Sequence, residues 1–427
     1  MTRSTSSRFE LRGGVLHCEE VPLPDIAAAV GTPVYVYSAG EMRDHARELS
    51  AALADLDDPL IAYAVKANPN AAVLATFAAE GLGADIVSGG ELERALAAGM
   101  RADRIVFSGV GKTRDEMRAA IDAGIGQFNV ESGAEAVMLS EVAVSAGREA
   151  PVAFRVNPDV EPGTHAKIST GSAQSKFGIP IGDAPTEYAR AAGLPGLKLQ
   201  GVAVHIGSQL TSLAPFEQAF AAIGKLIGEL RAAGHEIAVA DLGGGLGVPY
   251  DPSAAAPPSP ADYAAMVTRV TERWGVRLVF EPGRFLVANA GVLLTEVIRT
   301  KPGVSRPFVI VDAAMNDLMR PTLYDAWHSI EAVRPSDKRI IANVVGPVCE
   351  TGDTFAVARE VDEVAAGDLV VFRTAGAYAA TMASTYNSRP LTPEVLVDGD
   401  RWAVVRPRIG IDRLIAADVI PGWLSQP

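Results

Sequence analysis

The sequence predicts an α/β protein: a (β/α)8 TIM barrel plus a C-terminal β-sandwich or barrel-like domain that also takes N-terminal strands. Two observations predict this fold. Between about residues 60 and 284, short apolar runs alternate with Ala-rich amphipathic stretches, a pattern typical of a parallel sheet covered by helices. After Arg284, apolar runs are separated by turn residues, with little helix between them. A doubly wound open sheet is the alternative for the first region.

Eight apolar runs supply the strands of the predicted barrel. Helical patterns such as ELERALAAG and RDEMRAAIDAG lie between them, and several end in Gly, as helix C-termini often do. Eight strand–helix units in about 225 residues fit such a barrel in number and size. The Pro- and Ala-rich stretch 251–260 lies between strands seven and eight and is interpreted as a loop. The predicted strands are residues 60–68, 83–89, 104–109, 126–130, 151–157, 199–208, 236–245 and 277–284.

Six further runs predict the C-terminal β domain: VLLTEVIRT, RPFVIVD, KRIIANVVG, DTFAVAREV, DLVVFRT and RWAVVRP. The opening segments FELRGGVLHCEEV and TPVYVYS are interpreted as strands that join this domain. The predicted divisions are therefore residues 1–38 as N-terminal strands, 39–285 as the barrel and 286–427 as the β domain.

Composition narrows the possible partners and the compartment. The net charge of −13 argues against nucleic acid or an anionic membrane as the partner. The sequence contains no run of about 18 apolar residues, so no membrane span is predicted. The N-terminus lacks the apolar core of a signal peptide. Two cysteines, Cys18 and Cys349, cannot form a disulfide framework, which favours a reducing, cytoplasmic setting. No metal site is predicted.

Residues with useful chemistry gather at the C-terminal ends of the proposed strands, where barrel enzymes build their active sites. Lys66 ends strand one, where partial burial would favour Schiff-base chemistry; taken alone, it is more simply a solvated lysine. The run Gly243–Gly245 ends strand seven and would let main-chain N–H groups approach an anion, although Gly-rich turns are common. Strand eight ends in EPGR, where Arg284 could bind a carboxylate or phosphate and Glu281 places an acid at the barrel mouth.

Three other strands end in polar groups as well. His205 ends strand six and could stack on a flat ring, while Ser208 offers a hydroxyl to a phosphate. Asp85 and Arg155, on strands two and five, add charges to the same rim. Each residue alone has a structural explanation, such as a turn cap or a surface ion pair. Six of the eight strands end in a residue with useful chemistry, and this coincidence indicates an active site.

Together these residues resemble the fold-type III decarboxylases that depend on pyridoxal 5′-phosphate, and among them the diaminopimelate decarboxylases. The resemblance covers nearly the whole chain and is carried by YAVKAN, HIGSQ, DLGGGLG, EPGR, MRPTLY, GPVCETGD and GAYAATMASTYN. The GPVCETGD motif is highly specific and follows EPGR in the family's order. One mild departure is LYDAWH after Arg320, which is not the commonest wording, although the tyrosine is present.

The resemblance implies a role for each residue around the cofactor. Lys66 would carry it as a Schiff base, His205 would pack on its ring and Glu281 would pair with the pyridine nitrogen. Asp85 and Arg155 match positions that support the lysine and the cofactor. The phosphate would be held by Ser208, Gly243, Gly244, Gly245, Tyr378 and the main chain of Glu281, Pro282, Gly283 and Arg284.

The same resemblance implies an obligate homodimer with shared active sites. Cys349 and Glu350 would enter the active site of a neighbouring subunit, with Cys349 as the acid that protonates the α-carbon; on its own, Cys349 would more often be a buried thiol. The substrate would be bound by Arg284, Arg320, Tyr324, Glu350 and Tyr378.

The implied reaction is decarboxylation of meso-2,6-diaminopimelate to L-lysine and carbon dioxide, and an arginine at the distal end suits a substrate with a second carboxylate. A rival is decarboxylation of ornithine, arginine or carboxynorspermidine on the same scaffold. A second is an amino-acid racemase, but that family pairs the ring nitrogen with arginine, so Glu281 argues against it. A third is a non-catalytic pyridoxal-phosphate-binding protein. Such proteins are typically a barrel alone, so the β domain argues against that.

Overall fold

The computed structural model describes residues 7–161 and 175–424. The chain forms two compact units. One contains the residues up to Glu41 together with those from Ala288 onward, and the other is Met42–Val287. Residues 1–6 of the predicted N-terminal segment lie outside the described residues.

The N-terminal segment divides between two sheets. Strands β1 (Phe9–Arg12), β2 (Val15–Cys18) and β3 (Val21–Pro22) form a small antiparallel sheet of their own. The β1–β2 turn contains Gly13 and Gly14, both with positive φ, a conformation that glycine adopts without strain. Helix α1 (Leu23–Val30) and strand β4 (Val34–Ser38) follow, and then helix α2 (Ala39–Ala52).

The barrel is closed, which excludes the open-sheet alternative. Its parallel strands pair in the order β5-β6-β7-β8-β9-β11-β12-β13, and β13 returns to β5 through Val279 and Leu60. A further short strand, β10, extends the sheet beside β9. The strands are β5 (Leu60–Ala64), β6 (Gly83–Ile86), β7 (Ile105–Phe107), β8 (Gln127–Val130), β9 (Ala150–Asn157), β10 (Ile179–Pro180), β11 (Leu197–Ala203), β12 (Val239–Asp241) and β13 (Arg277–Phe280).

The helices of the barrel begin and end where the sequence signals them. Thr113 and Ser259 each form a capping box with the third helical residue, and Gly124 and Gly147 end helices in the left-handed conformation. The predicted loop 251–260 ends one residue earlier, because Pro260 begins a helix. The helices are α3 (Ala71–Ala79), α4 (Gly89–Ala97), α5 (Arg114–Ala123), α6 (Gly133–Ala146), α7 (Ala184–Ala191), α8 (Ala214–Ala232), α9 (Pro260–Thr271) and α10 (Arg284–Val287).

The barrel interior changes from apolar to polar along its strands. Leu60, Ala62, Val106 and Val279 form a buried apolar cluster. Residues two positions later on a strand face the same side, so Ser108 follows Val106 and Glu281 follows Val279. The interior therefore presents polar groups toward the C-terminal ends of the strands.

The other unit is built around a nine-stranded sheet. The N-terminal strand β4 lies between β14 and β20, which confirms that the β domain takes an N-terminal strand. Two short strands, β16 and β20, lie outside the predicted set. The elements are β14 (Gly291–Lys301), β15 (Phe308–Val311), α11 (Arg320–Tyr324), β16 (Ile330–Ala332), β17 (Arg339–Val345), β18 (Thr354–Asp362), β19 (Leu369–Phe372), β20 (Glu394–Asp398), β21 (Arg401–Arg406) and α12 (Ile411–Ala417).

Side chains from both ends of the chain share the core of this unit. Cys18 is fully buried there, beside Val36, Val292 and Val395. Within residues 7–161 and 175–424, no helix has the length and apolar character that crossing a membrane requires.

Candidate active site

Lys66 and Asp85 form an ion pair at the ends of β5 and β6. The Lys66 Nζ lies 2.7 Å from Asp85 Oδ2, and the lysine side chain is 37% exposed whereas the aspartate is fully buried. The other carboxylate oxygen, Asp85 Oδ1, is buried and accepts no hydrogen bond within the described part of the chain. A buried acceptor without a partner is costly, so this oxygen indicates that the rim accommodates a ligand beside Lys66.

Glu281, at the end of β13, belongs to a buried group of acids. Burial raises its pKa well above the usual range, and the negative charges of Asp241 and Asp85 raise it further. Burial also raises the pKa of Asp241 to about 6. The hydrogen bond between the two side chains raises the pKa of Glu281 further and lowers that of Asp241. Asn129 Nδ2 donates to Asp241 Oδ2 at 2.8 Å and to Glu281 Oε1 at 3.3 Å.

His205 is held as a neutral ring. Its Nδ1 lies 3.1 Å from the Gly244 amide, and since an amide N–H only donates, Nδ1 must accept. Burial lowers the pKa of His205 well below its usual range, and the charges of Arg155 and Lys66 lower it further. The proton of the neutral ring is therefore on Nε2, and His205 presents an uncharged flat surface.

The glycine loop Gly243–Gly245 is required by close backbone approach. A Cβ on Gly244 would lie 2.1 Å from the Glu281 carbonyl oxygen, and Gly243 and Gly245 both have positive φ. The Gly243 amide donates to Asp241 Oδ1 at 3.0 Å, and the Gly244 amide donates to His205. These two amides thus order the acid and the imidazole, and a contact of the loop with phosphate stays a prediction.

Arg284 and Ser208, which the sequence predicts separately, are in direct contact. Arg284 Nη2 donates to Ser208 Oγ at 3.0 Å, and Nη1 donates to the Tyr250 hydroxyl at 2.6 Å. Tyr250 is not among the residues predicted from the sequence; it follows the glycine loop by five residues and lies before α9. This arrangement gathers hydroxyl and guanidinium donors, the groups that bind a phosphate or carboxylate.

Arg155 is fixed by a buried acid that the sequence analysis also misses. Glu131 Oε1 lies 3.1 Å from Arg155 Nη1 and accepts from the Gly109 amide at the same distance, while Oε2 accepts from the Gly178 amide at 2.6 Å. Glu131 therefore ties together the ends of three barrel strands. Ser108 follows β7 and Glu131 follows β8, and no site residue is predicted from the sequence on either strand. Because barrel active sites lie at the C-terminal ends of the strands, both residues could have been predicted from their positions.

The remaining predicted residues lie in the other unit. Arg320 is buried at the start of α11, Tyr324 is half-buried at its end, and Tyr378 has a positive φ. Cys349 and Glu350 lie in an exposed loop.

Two further side chains hold that exposed loop. Cys349 Sγ donates to Asn387 Oδ1 at 3.5 Å, and the Tyr386 hydroxyl donates to Glu350 Oε2 at 2.9 Å. Asp353, the last residue of GPVCETGD, accepts from the Val348 amide at 2.7 Å. The motif is therefore a preorganised loop. Tyr386 and Asn387 are the last two residues of the GAYAATMASTYN segment. That segment is part of the family resemblance, but the resemblance assigns no role to these two residues.

The barrel residues fit pyridoxal phosphate. Lys66 supplies the amine that an aldehyde cofactor requires. Asp85, Asp241 and Glu281 form an excess of buried acid around that amine, and a protonated ring nitrogen would add the positive charge that stabilises it. No group of three or more metal-ligating acids, histidines or cysteines is found among the residues that the structure describes.

Comparison with known proteins identifies the family. The pyridoxal binding domain of pyridoxal-dependent decarboxylases matches residues 40–288. A diaminopimelate decarboxylase of Zymomonas mobilis subsp. mobilis is 56% identical over 418 residues, covering 97% of this chain and 99% of that protein. One of Pseudomonas fluorescens is 49% identical over 412 residues, covering 96% and 98%. A crystal structure of the enzyme from M. jannaschii in co-complex with L-lysine has a TM-score of 0.93 and 36% identity, covering 97% and 98%. The chain therefore belongs to the diaminopimelate decarboxylase family of pyridoxal-dependent decarboxylases.

Proposed function

We propose that this chain uses pyridoxal 5′-phosphate to decarboxylate meso-2,6-diaminopimelate to L-lysine and carbon dioxide, the last step of lysine biosynthesis. The observation that supports decarboxylation is Glu281. It is a buried acid at the end of a barrel strand, and the charge of Lys66 acts on it. The substrate is supported by relatives that carry the name diaminopimelate decarboxylase over nearly the full length of both chains.

The bound cofactor supplies an electron sink for the pair that remains when the bond from the α-carbon to its carboxylate breaks. Lys66 would hold the cofactor through its amine, and Asp85 would orient that amine through their 2.7 Å contact. Glu281 would pair with the ring nitrogen, where a carboxylate stabilises the positive charge of a protonated ring. His205 would cover a face of the ring without placing a second charge there.

Donors in the barrel would hold the phosphate. Ser208 and Arg284 already contact each other. We assign the Gly243–Gly245 loop and the EPGR main chain to the phosphate as well. Tyr378 is assigned to the phosphate by the family pattern. Arg155, fixed by Glu131, would add positive charge at the rim of the barrel.

Five residues are assigned to binding the substrate and Cys349 to protonating it, following the family pattern. Arg320 would bind the distal carboxylate, because a guanidinium pairs with a carboxylate in a planar, two-point contact. Cys349 would return a proton to the α-carbon from its thiol. The other assigned residues are Arg284, Tyr324, Glu350 and Tyr378.

We also propose a homodimer in which the Cys349 loop of each subunit completes the site of the other. Two observations support an oligomer: the loop is exposed, and large apolar side chains of the C-terminal segment are exposed as well. These side chains are Ile411, Ile415, Val419, Ile420, Trp423 and Leu424. A thiol that must act as an acid has to remain reduced, which supports the cytoplasm as the compartment.

The experiment is an assay of carbon dioxide release from meso-diaminopimelate beside lysine, ornithine and arginine. We expect release from meso-diaminopimelate, and we expect Lys66→Ala to abolish both turnover and the absorption band of the lysine-bound cofactor. Preference for ornithine or arginine would overturn the proposed substrate. Full turnover by Lys66→Ala would overturn the assigned cofactor linkage.

A further inference from the structure

Arg320 contacts a histidine that lies eight residues further along the same unit. Arg320 Nη1 is 2.8 Å from His328 Nε2, and both side chains are buried. The other ring nitrogen of His328, Nδ1, is 2.8 Å from the carbonyl oxygen of Arg373. The imidazole thus bridges the guanidinium of Arg320 and the main chain after β19.

These two contacts fix the protonation of the ring. A guanidinium has N–H donors and no acceptor, so His328 Nε2 must accept. A carbonyl oxygen has no donor, so Nδ1 must carry the proton. His328 is therefore a neutral imidazole in its Nδ1–H form, and it contacts Arg320 without neutralising the arginine's charge.

His328 is itself anchored on several sides. It lies two residues before β16, which pairs with β19, and the Arg373 amide donates to the Ser329 carbonyl at 2.9 Å. Arg359 Nη1 donates to the His328 carbonyl at 3.0 Å, and the same guanidinium lies 4.1 Å from the Trp327 ring centroid. A side chain on such a fixed main chain can hold its partner in one orientation.

We propose that His328 is a positioning residue for substrate specificity, which orients Arg320 toward the distal carboxylate of the substrate. This inference rests on the proposed function, in which Arg320 reads that carboxylate. The donors of a guanidinium form a rigid planar fork, so fixing one of them sets the plane in which the others point. An acidic residue in place of His328 would fix that plane equally well, but it would compete with the substrate for the arginine's charge.

Two amide substitutions separate the two contacts of His328. Gln places its amide near the position of Nε2 and keeps an acceptor for Arg320, whereas Asn reaches only the position of Nδ1 and keeps the donor to Arg373. We expect His328→Asn to raise the KM for meso-diaminopimelate about tenfold or more, the scale of a lost charge-assisted hydrogen bond. We expect His328→Gln to stay within about threefold of wild type. In both variants kcat should remain close to the wild-type value.

Product inhibition provides the matched readout. L-Lysine keeps the distal carboxylate, because the reaction removes only the carboxylate of the α-carbon, so its inhibition constant should rise in His328→Asn together with the KM for the substrate. The double variant Arg320→Met with His328→Asn should have the same KM as Arg320→Met alone, since His328 acts through that arginine.

Three outcomes would overturn the inference: an unchanged KM in His328→Asn, an unchanged inhibition constant of L-lysine in that variant, or additive effects in the double variant. Absence of wild-type activity on meso-diaminopimelate would instead overturn the proposed function. The wild-type assay therefore tells the two failures apart.

Discussion

At the residue scale, Glu281 is the acid on which the proposed electron sink depends. Glu281 has a raised pKa because it is buried with Asp241 and Asp85. We predict that Glu281→Gln leaves the cofactor bound while turnover falls by several orders of magnitude, because the amide cannot stabilise a protonated ring nitrogen as a carboxylate does. The measurement is steady-state turnover with cofactor occupancy followed by absorbance.

The control for Glu281→Gln is thermal stability. The substitution removes an acid from a group of buried acids, so the melting temperature should not fall. Near-normal turnover at full cofactor occupancy would contradict the role assigned to Glu281.

His205 gives a prediction about pH. Its pKa is lowered in the folded protein by burial, with Arg155 and Lys66 adding to the effect. The unfolded chain binds a proton on this histidine below about pH 6.5, whereas the folded chain does not, so the contribution of His205 to stability is lost as the pH falls. The free energy of unfolding should therefore fall between pH 7.5 and pH 5.5 because of this group.

The variant His205→Asn isolates that contribution. Asn keeps an acceptor for the Gly244 amide and does not titrate. Urea unfolding of the cofactor-free proteins at both pH values should show the wild type losing stability relative to the variant. A constant difference between the two proteins would show that folding does not change the pKa of His205.

At the scale of an element, the turn after β12 has to approach β13 closely. A Cβ on Gly244 would lie 2.1 Å from the Glu281 carbonyl, and both partners are main chain, which cannot rotate away. We predict that Gly244→Ala lowers the free energy of unfolding by about 1–3 kcal/mol, the scale of overpacking. It should also weaken cofactor binding, because the turn orders both His205 and Asp241. Urea unfolding and cofactor titration measure the two effects.

Gly111→Ala is the matched control for this turn. Gly111 lies in another loop of the barrel, has no positive φ, and a Cβ there meets nothing within 4 Å. Its effect on stability should be within about 0.5 kcal/mol. Equal losses in Gly244→Ala and Gly111→Ala would show that the close approach is not what constrains the turn.

At the scale of the whole molecule, the proposed dimer makes each active site from two chains. A two-fold dimer holds two equivalent sites of this kind. Random reassembly of Lys66→Ala with Cys349→Ala subunits makes about half of the dimers mixed, and each mixed dimer holds one site without either defect. We therefore predict recovery to about a quarter of wild-type activity, beyond the residual activity of the Cys349 variant.

The mixing experiment needs verified subunit exchange, for which differently tagged subunits and native mass measurement suffice. If Lys66 and Cys349 served one site within the same chain, every site would keep a defect. In that case activity would not recover.

The elements of the barrel could be predicted because their signals are local. Each of the eight strands is an apolar run between helical segments. The C-terminal ends of parallel strands meet at one edge of a barrel, so Lys66, Asp85 and Glu281 could be placed together. The short strands β16 and β20 could not be predicted in this way. β20 pairs with β4, which lies more than 350 residues away in the chain. A strand of only three to five residues also carries little periodic signal.

The sequence by itself determined the barrel, the polar residues at its strand ends and the family, because strand periodicity and motif order are properties of neighbouring residues. Only the tertiary structure decided how the side chains are connected. In the folded chain the Gly243 amide donates to Asp241 and the Gly244 amide donates to His205. Arg284 is hydrogen-bonded to Tyr250, and Arg320 is hydrogen-bonded to His328. The partner of each hydrogen bond and the pKa of each buried acid depend on burial and on packing between distant segments. Neither is encoded in local spacing.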